Sequence, residues 1–343
     1  MSANHTIHSL KHHFGWDNSN VPIINAMSGE TIEIDTVDSS GSQLSLNSSI
    51  EDVRNLDFSK VNPVTGPIFI EDACEGDVIE IEFIDFVTSG WGWTAIIPGF
   101  GLLADEFQTP DLNLWKYEKN NPIDSVYSTY GKIPLKPFVG TVGLALKESG
   151  NHSVVPPRDC GGNLDIKELS KGSKVRLPVQ VSGGLLSLGD THAAQGDGEV
   201  SGTAVEMGAI NVLRTKILKG KGRDLDMPVT VGNDEIRDIE PTRFYQTVGI
   251  PLKGAGVALP YHAYLGSEKL TNLDNLSEDL TAAARHALTQ MIDYIVREHG
   301  LTKEQAYILC SVAVDLRVGQ VVDVPNFVIT AVLNLNVFDK YRE

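Results

Sequence analysis

The run GDVIEI at residues 76–81 shows the pattern from which the fold class follows. The same arrangement recurs as GETIEI at 29–34 and as GSKVRL at 172–177, with apolar residues three and five places after the glycine. Apolar residues at every second position face one side of a β-strand, and the polar residues between them face the other. Each run therefore predicts a half-buried strand that is entered through a glycine turn. The apolar pairs are Ile79 and Ile81, Ile32 and Ile34, and Val175 and Leu177.

Further β-like runs and a late pair of helices complete the predicted architecture. Residues 140–146 and 327–335 are rich in β-branched side chains between Gly, Pro and Asn. A helix is predicted over residues 277–300, with an acidic first turn, apolar residues at helical spacing and a glycine stop. A second helix follows Thr302, because Thr302 and Gln305 have the spacing of a capping box. The predicted class is α+β and β-rich, with a late helical pair.

The segment 105–138 is polar, aromatic and proline-containing, and it shows no sustained period. Long stretches of this kind are usually lids, interface arms or disordered insertions. Its tryptophan and tyrosines argue against plain disorder. We expect a lid or a subunit-contact arm, and the open alternative is a loop that packs on its own domain.

Composition and charge exclude several classes of function. The chain has 343 residues, and 28 Lys and Arg against 45 Asp and Glu give a formal charge of −17. This charge repels phosphate backbones and anionic membrane surfaces, so neither nucleic acid nor a membrane is expected as a partner, whereas a neutral substrate is compatible with it. No apolar run approaches the roughly 20 residues of a membrane helix. Three cysteines, and an N-terminus without a secretory pattern, predict a reducing compartment, the cytoplasm.

The first candidate piece of a site is GGNLD at residues 161–165. If the chain is extended here, Asn163 and Asp165 project to one face, about 6.6 Å apart at roughly 3.3 Å per residue. Gly161 and Gly162 leave the space beside them without side chains, which permits a sharp turn or the close approach of a ligand. A glycine-rich turn with an Asx hydrogen bond is the simpler explanation when this piece is taken alone.

The more specific piece is GDTHAAQGDGE at residues 189–199. Asp190 and His192 stand two residues apart, and so do Asp197 and Glu199. A hydrophobic run leads into the piece as a strand would, so these side chains are expected at a strand end. One imidazole and several carboxylates at this spacing suit Zn²⁺ or another divalent ion. A hydrogen-bonded turn without a metal is the alternative.

These pieces resemble the acetamidase/formamidase family, whose members hydrolyse small amides such as formamide and acetamide to the acid and ammonia. The resemblance rests on GGNLD (161–165), GDTHAAQGDGE (189–199), GTAVE (202–206), AYILCSVAVDLRVGQVVD (306–323) and GWDNSNVPIINAMSGETIEIDTVD (15–38). It extends from about His12 to Phe338. It implies sandwich-like and barrel-like β lobes, a homo-oligomer (a dimer or higher), a divalent metal and a small neutral amide as substrate. It also favours one catalytic unit over residues 1–343, with a β-rich sub-lobe 1–175 and an α+β sub-lobe 176–343.

The cluster and the resemblance together give each residue a role. The expected metal ligands are, in this order, His192, Asp190, Asp165 and Asn163. Zn²⁺ is the first choice of metal, and Ca²⁺ is a second or structural ion. The catalytic candidates are Glu199 and His192, with Glu199 as the general base and proton donor or as a further ligand. Asp197 and Glu206 are expected to orient the His192 ring. Cys160, Gly161 and Gly162 are expected beside the substrate.

Two other functions stay open on the sequence. In one, Cys160 is a nucleophile paired with His192 in a thiol amidase. The family more often has His or Asn before the glycine pair, which argues against a Cys160 nucleophile. In the other, the chain is a non-catalytic β-sandwich binding module whose oxygen-rich loop holds a structural ion such as Ca²⁺. His262 either lines the pocket or is a packed, hydrogen-bonded residue. Each of Asp38, Asp315 and Asp323 either reaches the site or caps a turn.

Overall fold

The computed structural model describes residues 3–117, 125–128, 130–232, 243–251, 279–322 and 327–338. Within these ranges the chain forms 22 β-strands and three α-helices. The helices are α1 Ile50–Arg54, α2 Leu280–His299 and α3 Lys303–Ala313. The strands are β1 His5–Ile7, β2 His12–His13, β3 Gly15–Trp16, β4 Ile24–Ala26, β5 Thr31–Thr36, β6 Val64–Ile70, β7 Val78–Thr88, β8 Trp91–Ile96, β9 Asp111–Lys116, β10 Ser125–Ser128, β11 Gly131–Pro134, β12 Phe138–Gly143, β13 His152–Ser153, β14 Gly161–Asn163, β15 Lys174–Pro178, β16 Leu186–His192, β17 Glu206–Met207, β18 Ala209–Leu218, β19 Val229–Val231, β20 Phe244–Gly249, β21 Val314–Gln320 and β22 Val328–Asn334.

The six-stranded sheet contains all three of the predicted glycine-opened strands, in the order β1-β5-β18-β7-β15-β19. Strand β18 lies between β5 and β7 and is antiparallel to both. The six apolar residues that were predicted to face inward each have 0% exposure. Because the polar residues between them point the other way, each strand buries one face and the register is fixed. The prediction of these three strands is confirmed.

The larger sheet has eleven strands, and β16 lies in its interior. Its main order is β11-β10-β9-β8-β17-β16-β12-β14, and β6 additionally pairs with β16, β2 and β4. Strand β12 borders β16 on one side, and β6 and then β17 border it on the other. All seven residues of β16 are buried. The polar residues at its end, Asp190, Thr191 and His192, are therefore enclosed by protein and must find partners there.

The two large sheets share one hydrophobic core. It contains Ile34 and Ile81 from the smaller sheet, and Val142 and Leu188 from the larger one. Contact between two sheet faces is the sandwich-like part of the predicted architecture. The predicted α+β, β-rich class is confirmed.

The helices α2 and α3 pack with a three-stranded sheet, β20-β22-β21. Asp279 caps α2 by accepting a hydrogen bond from the Ala282 N–H, and Gly300 ends it in the left-handed region at φ 71°. Thr302 and Gln305 form the predicted capping box at the start of α3. Both predicted helices are confirmed, and α3 runs directly into β21.

The described part of segment 105–138 contains strands β9, β10 and β11, at one edge of the larger sheet. Trp115 in β9 is fully buried and donates a hydrogen bond from Nε1 to Thr94 Oγ1 over 2.8 Å. The segment thus has regular structure that its sequence pattern did not reveal. Its role as a lid or a subunit-contact arm stays a prediction.

The sub-lobes 1–175 and 176–343 also stay a prediction. Strand β18 belongs to the second sub-lobe and pairs with β5 and β7 of the first.

Among the described residues, no helix is long and apolar enough to cross a membrane. His262 and Asp323 lie outside the described residues.

Candidate functional site

Four carboxylates and one imidazole converge at the end of β16; we call them the carboxylate–histidine cluster. Its members are Asp165, Asp190, His192, Glu199 and Glu206. Strand pairing brings two of them together directly, because His192 of β16 lies opposite Glu206 of β17. Asp165 arrives from the turn after β14, and Glu199 from the loop after β16. Sheet topology therefore gathers residues that are up to 41 positions apart in the chain (206 − 165).

Two overlapping groups in the cluster have the spacing of metal ligands. One is Asp165, Asp190 and His192, and the other is His192, Glu199 and Glu206. Within each group, one ligand atom per residue lies within 4.8 Å of the others. His192 belongs to both, and its Nε2 lies 3.1 Å from Asp190 Oδ1 and 3.1 Å from Glu206 Oε2. The imidazole is thus the centre of the cluster.

The neighbours of His192 fix the state of its two ring nitrogens. Gln195 donates a hydrogen bond from Nε2 to the Asp165 carbonyl over 2.8 Å, so its Oε1 is the atom that lies 2.9 Å from His192 Nδ1. An amide oxygen accepts hydrogen bonds, and Nδ1 must therefore carry a proton. Nε2 is the variable position, which holds either a second proton or a metal ion between two carboxylates.

Two buried oxygens of the cluster lack a hydrogen-bond partner within the described part of the chain. They are Asp165 Oδ1 and Glu206 Oε2, and the second lies 3.1 Å from His192 Nε2 without hydrogen-bond geometry. Unpaired buried carboxylate oxygens are costly, and they mark a place where an ion or a ligand is expected. The unpaired oxygens, the shared imidazole and the ligand spacing all fit a divalent cation. This supports the predicted metal site, and it leaves open which metal binds.

Backbone strain accompanies this arrangement. Asp165, Asp190 and Glu199 have φ values of 51°, 54° and 43°, in the left-handed region that side-chain-bearing residues rarely adopt. Strained residues of this kind persist where the surrounding structure holds them, and they concentrate at functional sites. The chain is not extended from Asn163 to Asp165, because β14 ends at Asn163 and the backbone turns at Asp165, which agrees with the alternative of a turn.

The pKa values show how the crowded charges compensate one another. Burial, assisted by the charge of Asp190, raises the pKa of Asp165 to about 8. Burial likewise raises the pKa of Glu199 well above its ordinary value, with Asp165 adding to the effect. Burial raises the pKa of Glu206. A cluster of carboxylates that retain protons releases them when a cation binds, so metal affinity is expected to rise with pH.

His192 and Asp190 behave as a charge pair within the cluster. Burial acts to lower the pKa of His192, but Glu206 and Asp190 raise it well above its usual value. Burial acts to raise the pKa of Asp190, yet the charge of His192 and the hydrogen bonds that Asp190 receives lower it. Both carboxylates therefore favour the protonated form of His192.

Other predicted residues lie beside the cluster with different contacts. Asn163 Oδ1 accepts hydrogen bonds from Asn62 Nδ2 at 3.0 Å and from Thr141 Oγ1 at 2.5 Å, which uses both of its lone pairs. The same Thr141 hydroxyl also lies 3.2 Å from Asp190 Oδ2.

Asp197 does not orient the His192 ring as predicted. Its side chain lies 3.1 Å from Lys167 Nζ. The ring contact expected of Asp197 is made by Gln195, which lies inside the same sequence piece, three residues after His192. Glu206 contacts the ring as expected, and its place in a ligand group adds a second role.

Gly161 and Gly162 serve strand packing. Both have positive φ, at 99° and 121°, and a methyl group on Gly161 would collide with the Val142 carbonyl of β12. The close neighbour of Gly161 is thus backbone. Gly140 was missed by the sequence reasoning: a methyl group there would lie 2.7 Å from Asp165 Oδ1 and 2.9 Å from Asp190 Oδ2. Its missing side chain makes room for the cluster, which no local pattern signals.

Cys160 is buried in the core between the sheets, at 1% exposure. Burial raises the pKa of its thiol to about 12, so the nucleophilic thiolate is scarce near neutral pH. The environment opposes the thiol-amidase alternative.

We predict that Cys160→Ala retains the amidase activity of the wild type, with a loss of roughly 1 kcal/mol in the free energy of unfolding. The measurement is kcat and KM on formamide and acetamide, with a denaturant titration beside it. Cys74→Ala is the matched control, because Cys74 is exposed and distant in sequence. Loss of turnover in a folded Cys160→Ala protein would restore the thiol mechanism.

Comparison with known proteins places this site in a family. The model of the acetamidase/formamidase family matches residues 2–150 and 145–340, which is nearly the whole chain. The chain belongs to the acetamidase/formamidase family. The prediction of this family from GGNLD and GDTHAAQGDGE is confirmed.

Individual proteins that are similar to this chain include a formamidase and acetamidases. The chain is 28% identical over 375 residues to a formamidase of Methylophilus methylotrophus, covering 91% of this chain and 85% of the relative. It is 27% identical over 342 residues to an acetamidase of Mycolicibacterium smegmatis, covering 82% and 80%. An acetamidase structure from Bacillus halodurans has a TM-score of 0.62 at 30% identity, covering 96% of this chain and 97% of that one. A gamma lactamase structure from Delftia acidovorans, at 23% identity and 98% and 94% coverage, shares the fold with a TM-score of 0.84.

Proposed function

We propose that this chain hydrolyses small linear amides, such as formamide and acetamide, to a carboxylate and ammonia at a divalent metal held by the carboxylate–histidine cluster. Membership of the acetamidase/formamidase family supports the reaction class, and the protein is an amidohydrolase acting on small amides. The proposal of a metal rests on the contacts of His192. Its Nδ1 is hydrogen-bonded to Gln195, while its Nε2 lies 3.1 Å from each of two carboxylate oxygens.

The proposed ligands follow from these contacts. They are His192 through Nε2, with Asp190, Asp165 and Glu206 through carboxylate oxygens. This set of ligands differs from the set predicted from sequence in two residues. Glu206 is added as a ligand, and Asn163 is proposed as a positioning residue instead. These residues would hold a divalent ion whose Lewis acidity would lower the pKa of water and polarise the amide carbonyl.

Glu199 is the proposed general base. Its side chain is half-buried and belongs to the group that includes His192 and Glu206, whereas Asp190, His192 and Glu206 are buried. A carboxylate in this position can take a proton from water on an oxygen and then deliver it to the departing amide nitrogen. Burial raises the pKa of Glu199 above its ordinary value, and a carboxylate shifted in this direction is a stronger base.

The surroundings of His192 suit a small neutral substrate. The ring of Phe138 stands edge-on to His192, with the ring centroids 5.0 Å apart. This contact shields the imidazole from water and limits the space beside it. The carboxylates favour a neutral amide over an anion, and they repel the carboxylate product as it forms.

Removing the metal is expected to abolish amide hydrolysis and to destabilise the protein. A ligand that binds only the folded state stabilises it by about 4 kcal/mol at 1,000 times its dissociation constant. The test measures ammonia release and thermal unfolding for purified protein, for chelated protein and after Zn²⁺ is returned. Full activity of metal-free protein would contradict the mechanism. Metal-dependent stability without ammonia release from any small amide would instead support a non-catalytic binding module with a structural ion.

Three finer features belong to the same proposal. Zn²⁺ is the proposed metal because one imidazole combines with carboxylates, and Ca²⁺ is the alternative or second ion because the cluster is rich in oxygen. A homo-oligomer is proposed from the family resemblance. A cytoplasmic location is proposed because Cys74, Cys160 and Cys310 are all unpaired.

A further inference from the structure

Lys167 lies between two acidic side chains just outside the cluster. Its Nζ is 3.1 Å from Asp197 Oδ1 and pairs with Asp315 Oδ1. The side chains of Lys167 and Asp315 are only 12% and 14% exposed. Such a pair is screened much less by solvent than a surface pair, and removing one partner leaves the other charge buried.

The position of Lys167 in the chain shows which two loops this ion pair joins. Lys167 follows Asp165 by two residues, and Asp197 precedes Glu199 by two. The ion pair therefore joins the two loops that carry Asp165 and Glu199, which are the half-buried carboxylates of the cluster. A hydrogen bond from Gln195 Nε2 to the Asp165 carbonyl also joins these two loops.

Asp315 anchors this connection to the junction of α3 and β21. Its Oδ1 also accepts a hydrogen bond from the Asp197 N–H over 3.0 Å. The Asp197 carbonyl in turn accepts from the Leu316 N–H at 3.0 Å, and the Gly196 N–H donates to the Ser311 carbonyl at 2.9 Å. The loop is thus held on its backbone and through a side chain immediately before Glu199, whose own φ is 43°.

We propose that Lys167 is a positioning residue that sets the distance between Asp165 and Glu199, and with it the placement of the general base against the metal ligands. The proposal rests on the proposed function of the cluster. Lys167 belongs to neither ligand group of the cluster. Its effect is transmitted through Asp197 and Asp315.

The test replaces Lys167 by Met, which keeps the length of the side chain and removes its charge. We expect kcat for formamide to fall about 10- to 100-fold, because small displacements of a catalytic group have effects of this size, while KM changes little. Equilibrium dialysis of the metal-free variant against Zn²⁺ is expected to show an affinity weakened by roughly 10-fold. Lys167→Arg keeps the charge and should recover most of kcat.

The matched control is Lys171→Met. Lys171 lies 2.9 Å from Asp85, but these side chains are 60% and 52% exposed. This variant should keep both kcat and Zn²⁺ affinity. Asp197→Asn provides a second variant with a small folding risk, since Lys167 keeps Asp315; it should lower kcat about threefold or more.

The outcomes separate this proposal from the proposed function. A wild-type protein that neither binds Zn²⁺ nor releases ammonia overturns the proposed function itself. A functional wild type together with a folded Lys167→Met protein of unchanged kcat and Zn²⁺ affinity overturns only the positioning role. If Lys167→Met does not fold, an Asp197→Asn protein with normal kcat and Zn²⁺ affinity likewise overturns it. Lowered kcat with retained KM, and recovery in Lys167→Arg, supports it.

Discussion

Glu199→Gln is expected to lower kcat for formamide by roughly 10²- to 10⁴-fold while the metal stays bound. The amide of Gln keeps the size of the side chain but cannot take the proton from water. The remaining groups around His192, which are Asp165, Asp190 and Glu206, still supply ligand atoms. The measurements are steady-state kinetics and the metal content of the purified variant.

Two matched Glu→Gln changes make this result interpretable. Glu206→Gln alters a buried group whose Oε2 lies 3.1 Å from His192 Nε2, and it is expected to weaken metal affinity by more than about 10-fold. Glu75→Gln changes an exposed residue and should alter neither quantity. Near-normal turnover in Glu199→Gln would place the base elsewhere, and loss of metal from this variant would make Glu199 a ligand.

The second large effect is expected from Gly140→Ala, which should prevent the site from binding its metal. The new methyl group would lie 2.7 Å from Asp165 Oδ1, 2.8 Å from the Asp190 carbonyl and 2.9 Å from Asp190 Oδ2. Because Gly140 lies in β12 beside β16, the two carboxylates must separate or the strands must shift. Metal content should fall well below that of the wild type, and kcat/KM should fall by more than about 100-fold.

Gly143→Ala is the control for damage to strand packing. Gly143 lies on the same strand, and a methyl group there would come within 2.9 Å of the Gly162 nitrogen and of the Trp16 ring. Overpacking of this kind costs about 1–3 kcal/mol in the free energy of unfolding. Gly143→Ala should therefore be less stable but keep its metal and its kcat. Normal metal content in Gly140→Ala would show that Asp165 and Asp190 do not share an ion.

Local patterns predicted those parts of the fold that have one face in water. The strands opened by Gly29, Gly76 and Gly172 alternate between polar and apolar residues because one side of the six-stranded sheet is buried. The helices were predictable because Gly300 and the pair Thr302 and Gln305 satisfy helix ends through local contacts.

Alternation between polar and apolar residues was missing where strands are enclosed by other strands or stabilised by distant contacts. Strand β16 is buried along its whole length, so its sequence carries no alternation. In the 105–138 segment, Trp115 of β9 is held by a hydrogen bond to Thr94, which is 21 residues away. A contact of this separation leaves no local signature, and the segment therefore gave no period in the sequence.

By itself, the sequence determined the residue types of the site and its family, because GDTHAAQGDGE places Asp190, His192 and Glu199 within one short piece. Only the tertiary structure decided which of these side chains lie together. Pairing of β16 with β17 put Glu206 against His192, and the turn at Asp165 brought that carboxylate within 4.8 Å of ligand atoms of Asp190 and His192. The tertiary structure likewise places Asp197 beside Lys167, and it places Gln195, not Asp197, against the His192 ring. The physical reason is that a buried charge takes its partner from whichever strand or loop the fold lays beside it.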